Sequence, residues 1–178
     1  RSLLPGGTFF FTVVTYHRRP ILVTEESRAL LHIAWNNVCE RYPYQTDAIC
    51  LLLDHIHCIW TLPEGDNRYS LRWGEIKRIF SEAYNRQTGA KVRINESRQK
   101  RGETAIWQRR FWEHAIRDLD DYHHHLDYIH YNPVRHGLVN NVVDWEWSSF
   151  HRYVKLGQYE KEWGSNMEEK TWSTEFGE

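Results

Sequence analysis

A chain of 178 residues is long enough to bury one well-formed hydrophobic core. Its composition, 40% hydrophobic and 26% charged, is ordinary for a globular protein, and no apolar run is long enough to suggest a membrane span. The net charge of −1 neither favours nor excludes a nucleic-acid partner. Cys39, Cys50 and Cys58 lie within apolar patterns, which favours reduced thiols in a cytoplasmic protein over a disulfide framework.

The first half of the chain predicts a strand, a helix and two further strands. β-Branched and aromatic residues indicate a strand over 8–15, and apolar residues at helical spacing indicate a helix over 25–41. A second strand covers about 45–53. A turn at Asp54 then leads into a third strand, which begins HIHCIW and runs to Leu62.

The second half predicts helices on either side of a final strand. In chain order these elements are a helix over about 71–87 capped by Ser70, a surface loop over 88–106, a strand or hairpin over 107–116, a helix from about Asp118 to Asn132, and a short helix within 138–158. The long helix is expected to end at Asn132 because Pro133 cannot continue it cleanly.

The element order β-α-β-β-α-β-α predicts an α+β protein with the ferredoxin-like split βαβ arrangement. We expect an antiparallel sheet with helices on one face, plus an added C-terminal helix. Residues 1–158 should form one domain. Residues 159–178 contain six acidic residues and two lysines, a net charge of −4 that leaves +3 on the body. This acidic tail is either a solvated end or a segment that competes with a polyanion for a basic groove.

Two histidines stand one residue apart in the third strand. Because strand side chains alternate between faces, His55 and His57 share one face, while Ile56 and Cys58 share the other. Buried imidazoles need partners, so the pair is either two satisfied core histidines or two metal ligands. The spacing alone does not decide between these interpretations.

The last long helix offers a third ligand and a nucleophile. Tyr128 and Asn132 are four residues apart and lie on one helix face, which His125 approximately shares. Tyr122 and Tyr131 are nearby, and residue propensity does not distinguish them from Tyr128. The helix also contains three consecutive histidines, for which a solvated helix face is a simpler interpretation than a second metal site.

Basic and aromatic side chains cluster before and around the predicted final strand, where they could grip phosphate and stack on bases. The candidates for DNA binding are Arg98, Lys100, Arg101, Trp107, Arg109, Arg110, Lys77 and Arg78. For the last two, surface charges are the simpler interpretation, and Arg109 and Arg110 could instead pair with the acidic residues that open the next helix.

Four sequence blocks resemble the REP-associated tyrosine transposases, a branch of the single-tyrosine HUH transposases. They are GTFFFTVVTYHRRPIL, HIH, FWEHAIRD and YIHYNPVRHGLV, and the resemblance covers roughly residues 6–153. It implies a ferredoxin-like nuclease domain that acts on single-stranded DNA, with His55 and His57 as the metal-binding pair and Tyr128 as nucleophile. Asn132 stands where insertion-sequence members commonly carry glutamine, so it becomes the third candidate ligand.

The resemblance also implies a chemistry and a substrate. Mg²⁺ or Mn²⁺ would assist attack by Tyr128, which leaves a 5′-phosphotyrosine, and a REP-like hairpin with a short guide sequence would be the substrate. His125 could orient Tyr128 or a phosphate, and Asp54 could hold a ligating imidazole. A monomer is expected, although insertion-sequence relatives form dimers. The alternatives are a non-catalytic regulator that binds DNA hairpins and an ordinary metal-dependent hydrolase.

Overall fold

The computed structural model describes residues 6–89 and 106–165, which form an antiparallel sheet and four helices. The strands are β1 (Thr8–Val14), β2 (Gln45–Leu51), β3 (His55–Thr61) and β4 (Trp112–Ala115). The helices are α1 (Glu25–Arg41), α2 (Tyr69–Thr88), α3 (Leu119–Arg135) and α4 (Phe150–Lys155). The strand order β2-β3-β1-β4 is that of the ferredoxin-like fold, which confirms the predicted fold class.

The central strand β1 separates two cores. Phe9 and Phe11 pack toward α1 and α2, whereas Phe10 packs on the opposite side with residues of α3. Because β1 and β3 pair antiparallel, Thr12 lies directly opposite His57. Side chains alternate along a strand, so Thr12 and both strand histidines face α3. The sheet thus carries α1 and α2 on one face and the candidate site with α3 on the other.

Tryptophan builds much of the core on the α1 and α2 face. The rings of Trp60 and Trp73 stack with centroids 4.4 Å apart, and the ring of Trp35 meets that of Trp60 edge-on at 5.3 Å. None of the eight tryptophans in the described ranges is exposed. The tryptophan excess therefore serves packing more than base stacking.

Two predicted helix boundaries are wrong. Helix α2 begins at Tyr69 with Arg68 as its capping residue, so Ser70 lies inside the helix. Helix α3 begins as predicted, since the Asp118 carboxylate accepts the backbone N–H of Asp121 at 2.8 Å, but it continues through Pro133 to Arg135. Proline lacks an N–H and so loses one helical hydrogen bond, a loss tolerated in the last turn of a helix that packing holds.

The C-terminal part of the described chain covers the outer edge of β2. The backbone N–H of Leu51 donates to the carbonyl of Trp147, and that of Ser149 donates to the carbonyl of Ile49, both at 2.8 Å. An uncovered strand edge invites pairing with other chains, and this segment occupies it. It also fixes α4 beside α3.

The predicted loop and tail fall partly outside the described residues. Positions 90–105 and 166–178 are not described, and the role of the acidic tail stays a prediction. Of the tail, the Tyr159 hydroxyl donates to the Asp127 carboxylate at 2.6 Å, and the ring of Trp163 lies 6.0 Å from that of Phe150. The first residues after 158 thus pack on α3 and α4. Cys39, Cys50 and Cys58 form no disulfide.

His130 on α3 should make the stability of the protein depend on pH. Its ring is completely buried, and Nε2 is hydrogen-bonded to the hydroxyl of Ser149 at 2.9 Å. Burial lowers the pKa of His130 to about 3, and the positive charges of Arg152 and His151 act in the same direction. In the unfolded chain this imidazole titrates near pH 6.5. The unfolded state therefore binds more protons than the folded state between these two values, so stability falls as the pH falls.

Because the unfolded state takes up a proton at His130, we expect the free energy of unfolding to fall by about 2 kcal/mol from pH 7 to pH 5. The variant His130→Gln keeps a side-chain group that can bond Ser149 but does not titrate, so its stability should change less over this range. Urea unfolding at both pH values measures the difference. His123→Gln, at an exposed position of the same helix, is the control and should behave as the wild type. Equal pH dependence in His130→Gln and the wild type would contradict the prediction.

Candidate active site

The two strand histidines lie together on the α3 face of the sheet. His55 and His57 are 2% and 0% exposed, and their ring centroids are 4.7 Å apart with an interplanar angle of 84°. This arrangement follows from strand alternation, which puts every second side chain of β3 on the same face. Two buried imidazoles this close can direct nitrogen atoms toward one point between them.

The Nδ1 atom of each histidine is held by a neighbouring side chain. His55 Nδ1 donates to the Asp54 carboxylate at 2.5 Å, and His57 Nδ1 is hydrogen-bonded to the Thr12 hydroxyl at 2.9 Å. Metal-binding histidines characteristically use one ring nitrogen for such a support and the other for the metal. Nε2 of each ring is therefore the atom suited to a metal ion. Asp54 thus contacts His55, and its support of a metal-binding imidazole stays a prediction.

The carboxylate beside His55 is kept ionised by its neighbours. Burial raises the pKa of Asp54, but the hydrogen bond and charge of His55, together with Arg18, outweigh burial and leave the pKa below its usual value. Arg18 reaches the other carboxylate oxygen at 3.3 Å. An ionised Asp54 fixes the orientation of the His55 ring, because it can only accept a hydrogen bond.

Tyr128 on α3 lies beside the histidine pair. It is 1% exposed, and its ring centroid is 5.2 Å from that of His57, with the rings nearly edge-on. Its ring also meets that of Phe10 at 6.0 Å. The hydroxyl oxygen of Tyr128 accepts a hydrogen bond of 2.8 Å from Arg135. The structure thus brings together the three residues expected to form the centre of the site.

Two further side chains from the end of α3 belong to this region. Asn132 is completely buried one turn beyond Tyr128, on the same side of the helix. His136, immediately after α3, places its ring 5.2 Å from that of His55. His136 had not been selected from the sequence, although it stands in the YIHYNPVRHGLV block. It is a second candidate for the third metal ligand.

An open cleft reaches His55 from the solvent. It has a volume of about 280 Å³ and is lined by Arg18, Pro20, Leu52, Leu53, Asp54, His55, His136 and Leu138. Arg18 and its neighbour His17 adopt left-handed backbone conformations, which non-glycine residues rarely do. This turn brings the Arg18 guanidinium to the cleft beside Asp54.

His125 takes part in a different cluster, which lies between α3 and β4. His114 Nε2 donates to the Asp121 carboxylate at 2.8 Å, and His125 Nδ1 donates to the Asp121 backbone carbonyl at 2.8 Å. These three residues could hold a metal ion, since their ligand atoms lie within 4.8 Å of one another. The same carboxylate also accepts from Arg117 Nε at 3.1 Å, so the cluster already ties β4 to the start of α3.

The residues predicted to bind DNA differ in exposure and in the contacts that they make. Arg109 and Arg110 are exposed before β4. Lys77 donates to the Gln108 carbonyl at 3.0 Å, and Arg78 is paired with Glu75 and Glu82. Arg98, Lys100 and Arg101 lie outside the described residues.

The interpretation of Trp107 as a base-stacking residue is corrected by the structure. Trp107 is only 4% exposed, and its ring packs against that of Phe80 with centroids 5.2 Å apart. Its backbone forms a bridge to Thr15 at the end of β1. The ring is therefore part of the core between the sheet and α2, with no face open to a base.

None of the described helices is long and apolar enough to cross a membrane. The ferredoxin-like sheet, the two histidines on one strand and the tyrosine on a separate helix form the arrangement that the resemblance to single-tyrosine HUH transposases implies. No family model matches the chain, but relatives identify the branch. The chain is 46% and 44% identical, over 96% and 94% of its length, to two REP-associated tyrosine transposases, and it therefore belongs to that family.

The similarity to these relatives extends over nearly the whole chain. A REP-associated tyrosine transposase of Haemophilus influenzae is 46% identical, over 96% of this chain and 94% of the relative. One of Escherichia coli K12 is 44% identical, over 94% of this chain and 90% of the relative. The solved structure of a REP-associated tyrosine transposase bound to a REP hairpin matches with a TM-score of 0.81 and 41% identity. The match spans 100% of this chain and 94% of the chain in that structure.

Proposed function

We propose that this protein is a metal-dependent nuclease and strand transferase that cleaves and rejoins single-stranded REP-type hairpin DNA through Tyr128. One observation carries the proposal: the ring centroid of Tyr128 lies 5.2 Å from that of His57, whose Nδ1 is held by a hydrogen bond to Thr12. A nucleophile beside a prepared metal-binding pair is what phosphodiester transesterification requires.

The donor atoms fit a divalent cation. His55 and His57 would hold it through Nε2, with Asn132 or His136 as the third ligand, and mixed nitrogen and oxygen donors suit Mn²⁺ better than Mg²⁺. When bound, the cation neutralises charge on a phosphate oxygen and orients the phosphorus for attack. We assign the metal to this pair and not to His114, Asp121 and His125, because Tyr128 contacts His57.

The surface around the site suits a single DNA strand. Arg18 stands in the cleft beside His55, and exposed Arg109 and Arg110 can contact phosphates farther along. Tyr128 is buried on a helix, so only a flexible, unpaired backbone can bring a phosphate to its hydroxyl. The relative with a solved structure is bound to a REP hairpin, which supports a hairpin as the partner of this chain as well.

The proposed chemistry keeps the energy of the broken bond. Attack by the Tyr128 oxygen forms a 5′-phosphotyrosine and releases a 3′-hydroxyl, which can later attack the same phosphorus and rejoin a strand. A hydrolase would transfer the phosphate to water, and the strand could then not be rejoined without another source of energy. Strand transfer is therefore the proposed reaction, and cleavage is its first half.

A labelled hairpin tests the proposal directly. One preparation carries its label on the 3′ side of the scissile phosphate and a second carries it on the 5′ side. With Mn²⁺, the first label should become attached to the protein on a denaturing gel, and the second should appear on a free fragment ending in a 3′-hydroxyl. A chelator should prevent both products.

Other results would point to the alternative functions. Cleavage without protein-attached label from either preparation would indicate a hydrolase. Retained hairpin binding without cleavage in Mn²⁺ or Mg²⁺ would indicate a non-catalytic hairpin-binding regulator. Attachment of the 5′-side label would reverse the proposed polarity of attack.

Removing the hydroxyl that supports His57 should weaken metal binding. In Thr12→Val the shape of the side chain is nearly kept, but the 2.9 Å hydrogen bond to His57 Nδ1 is lost. Loss of such a support typically lowers metal affinity about 10- to 100-fold. Calorimetric titration with Mn²⁺ measures the change, and Thr8→Val, in the same strand but beside Thr61, is the control. Unchanged Mn²⁺ affinity in Thr12→Val would contradict the proposed role of this hydrogen bond.

A further inference from the structure

A positively charged side chain touches the proposed nucleophilic atom, and the mechanism above does not use it. Arg135 Nη1 donates a hydrogen bond of 2.8 Å to the hydroxyl oxygen of Tyr128. The guanidinium carbon also lies over the Tyr128 ring, 5.4 Å from its centroid. One side chain therefore contacts both the hydroxyl and the ring of this tyrosine.

The contact depends on the unexpected length of α3. Residues seven positions apart on a helix lie two turns apart on the same side, which is the relation of Tyr128 to Arg135. A helix that ended at Asn132 would not hold Arg135 in this relation. Arg135 is exposed, whereas Tyr128 is 1% exposed. The guanidinium thus links the buried phenol to the solvent from which DNA must approach.

We propose that Arg135 is a catalytic residue that holds the attacking oxygen of Tyr128 by a hydrogen bond and then contacts the phosphate that this oxygen attacks. This inference rests on the proposed function. The bond between the Tyr128 oxygen and phosphorus forms as the bond from phosphorus to the 3′-oxygen breaks. The phenolic proton passes to solvent, and the leaving 3′-oxygen takes a proton from water. Arg135 stays protonated throughout, so it acts by charge and hydrogen bonding and is not the base.

The chemistry of the guanidinium suits both parts of this role. A hydrogen bond from a fixed donor holds the attacking oxygen in one position. The planar fork of N–H donors can keep one hydrogen bond to the tyrosine oxygen and offer another to a phosphate oxygen. Removing a donor aimed at developing negative charge typically costs about 10²- to 10³-fold in rate.

The test measures the single-turnover rate of adduct formation in Mn²⁺ with the labelled hairpin. Arg135→Ala should be slower by about 100-fold, and guanidinium ion added to the solution should restore part of the rate. Arg135→Lys keeps the positive charge but not the planar fork of donors, so its rate should lie between those of Arg135→Ala and the wild type.

Two controls separate catalysis from folding and DNA binding. Arg86→Ala removes another exposed arginine from the last turn of a helix and should leave the rate unchanged. Hairpin affinity is compared between Tyr128→Phe and Tyr128→Phe with Arg135→Ala, where no adduct can form. Similar affinities would place the effect of Arg135 in the chemical step.

The outcomes distinguish this inference from the function on which it rests. An Arg135→Ala variant with the wild-type rate overturns the role of Arg135 and leaves the proposed function intact. A slow variant that guanidinium does not rescue and that melts at a lower temperature also overturns it, in favour of a structural role. A wild-type protein that forms no adduct in any divalent metal overturns the proposed function, and this inference with it.

Discussion

Replacing Tyr128 with phenylalanine is expected to abolish the covalent protein–DNA adduct while preserving the fold and hairpin binding. Tyr128 is 1% exposed, and its ring packs against those of Phe10 and His57. Phenylalanine keeps these ring contacts and removes only the oxygen atom that would attack phosphorus. Because no other atom at that position can form the covalent bond, adduct formation should fall by at least about 10⁴-fold.

Neighbouring tyrosines provide matched controls on the same helix. Tyr122 forms a hydroxyl contact with Tyr153 at 3.0 Å, and Tyr131 is 7% exposed beside Val142 and Trp163. Tyr122→Phe and Tyr131→Phe should therefore form the adduct at close to the wild-type rate. Mass spectrometry of a protease digest should locate the nucleotide on Tyr128. An adduct that persists in Tyr128→Phe would assign the nucleophile to another residue.

The positions of the helices and strands were largely predictable because they depend on local patterns. Alternation along HIHCIW placed His55 and His57 on one face without knowledge of any partner. Apolar spacing predicted α1 from residue 25 to residue 41, which are also its observed ends. Repeats of two and 3.6 residues are visible among neighbouring positions of the sequence, so predicting these elements requires no tertiary information.

The partners that complete the site were not predictable in this way. Thr12 meets His57 because β1 and β3 pair in one particular register, across 45 positions of sequence. His136 meets His55 only after α3 has crossed the sheet. Local patterns indicate which face a side chain occupies, but not the residue opposite it.

Two errors had identifiable physical causes. Pro133 was interpreted as the end of α3, yet tertiary packing holds one more turn, and Arg135 reaches the Tyr128 hydroxyl because of it. Trp107 follows a polar, basic stretch and was interpreted as a residue that could stack on DNA bases. Its burial beside Phe80 is a tertiary effect that the flanking composition hides.

Replacing His57 with asparagine is expected to remove Mn²⁺ binding at the active site and, with it, adduct formation. An asparagine amide can reproduce the hydrogen bond that His57 Nδ1 makes with Thr12, but it has no atom at the position of Nε2. The loss of a direct ligand should lower Mn²⁺ affinity by more than the roughly 10- to 100-fold expected for Thr12→Val. Electron paramagnetic resonance of free Mn²⁺ during a titration measures this affinity.

The matching variant His114→Asn decides which of the two clusters holds the metal that supports catalysis. His114, on β4, lies opposite Phe10 of β1 and contacts Asp121. If the metal sits between His55 and His57, His114→Asn should keep both Mn²⁺ binding and the adduct. If His114→Asn loses them and His57→Asn does not, the metal belongs to the His114, Asp121 and His125 cluster. Tyr128 would then have to act without a cation beside His57, which contradicts the proposed mechanism.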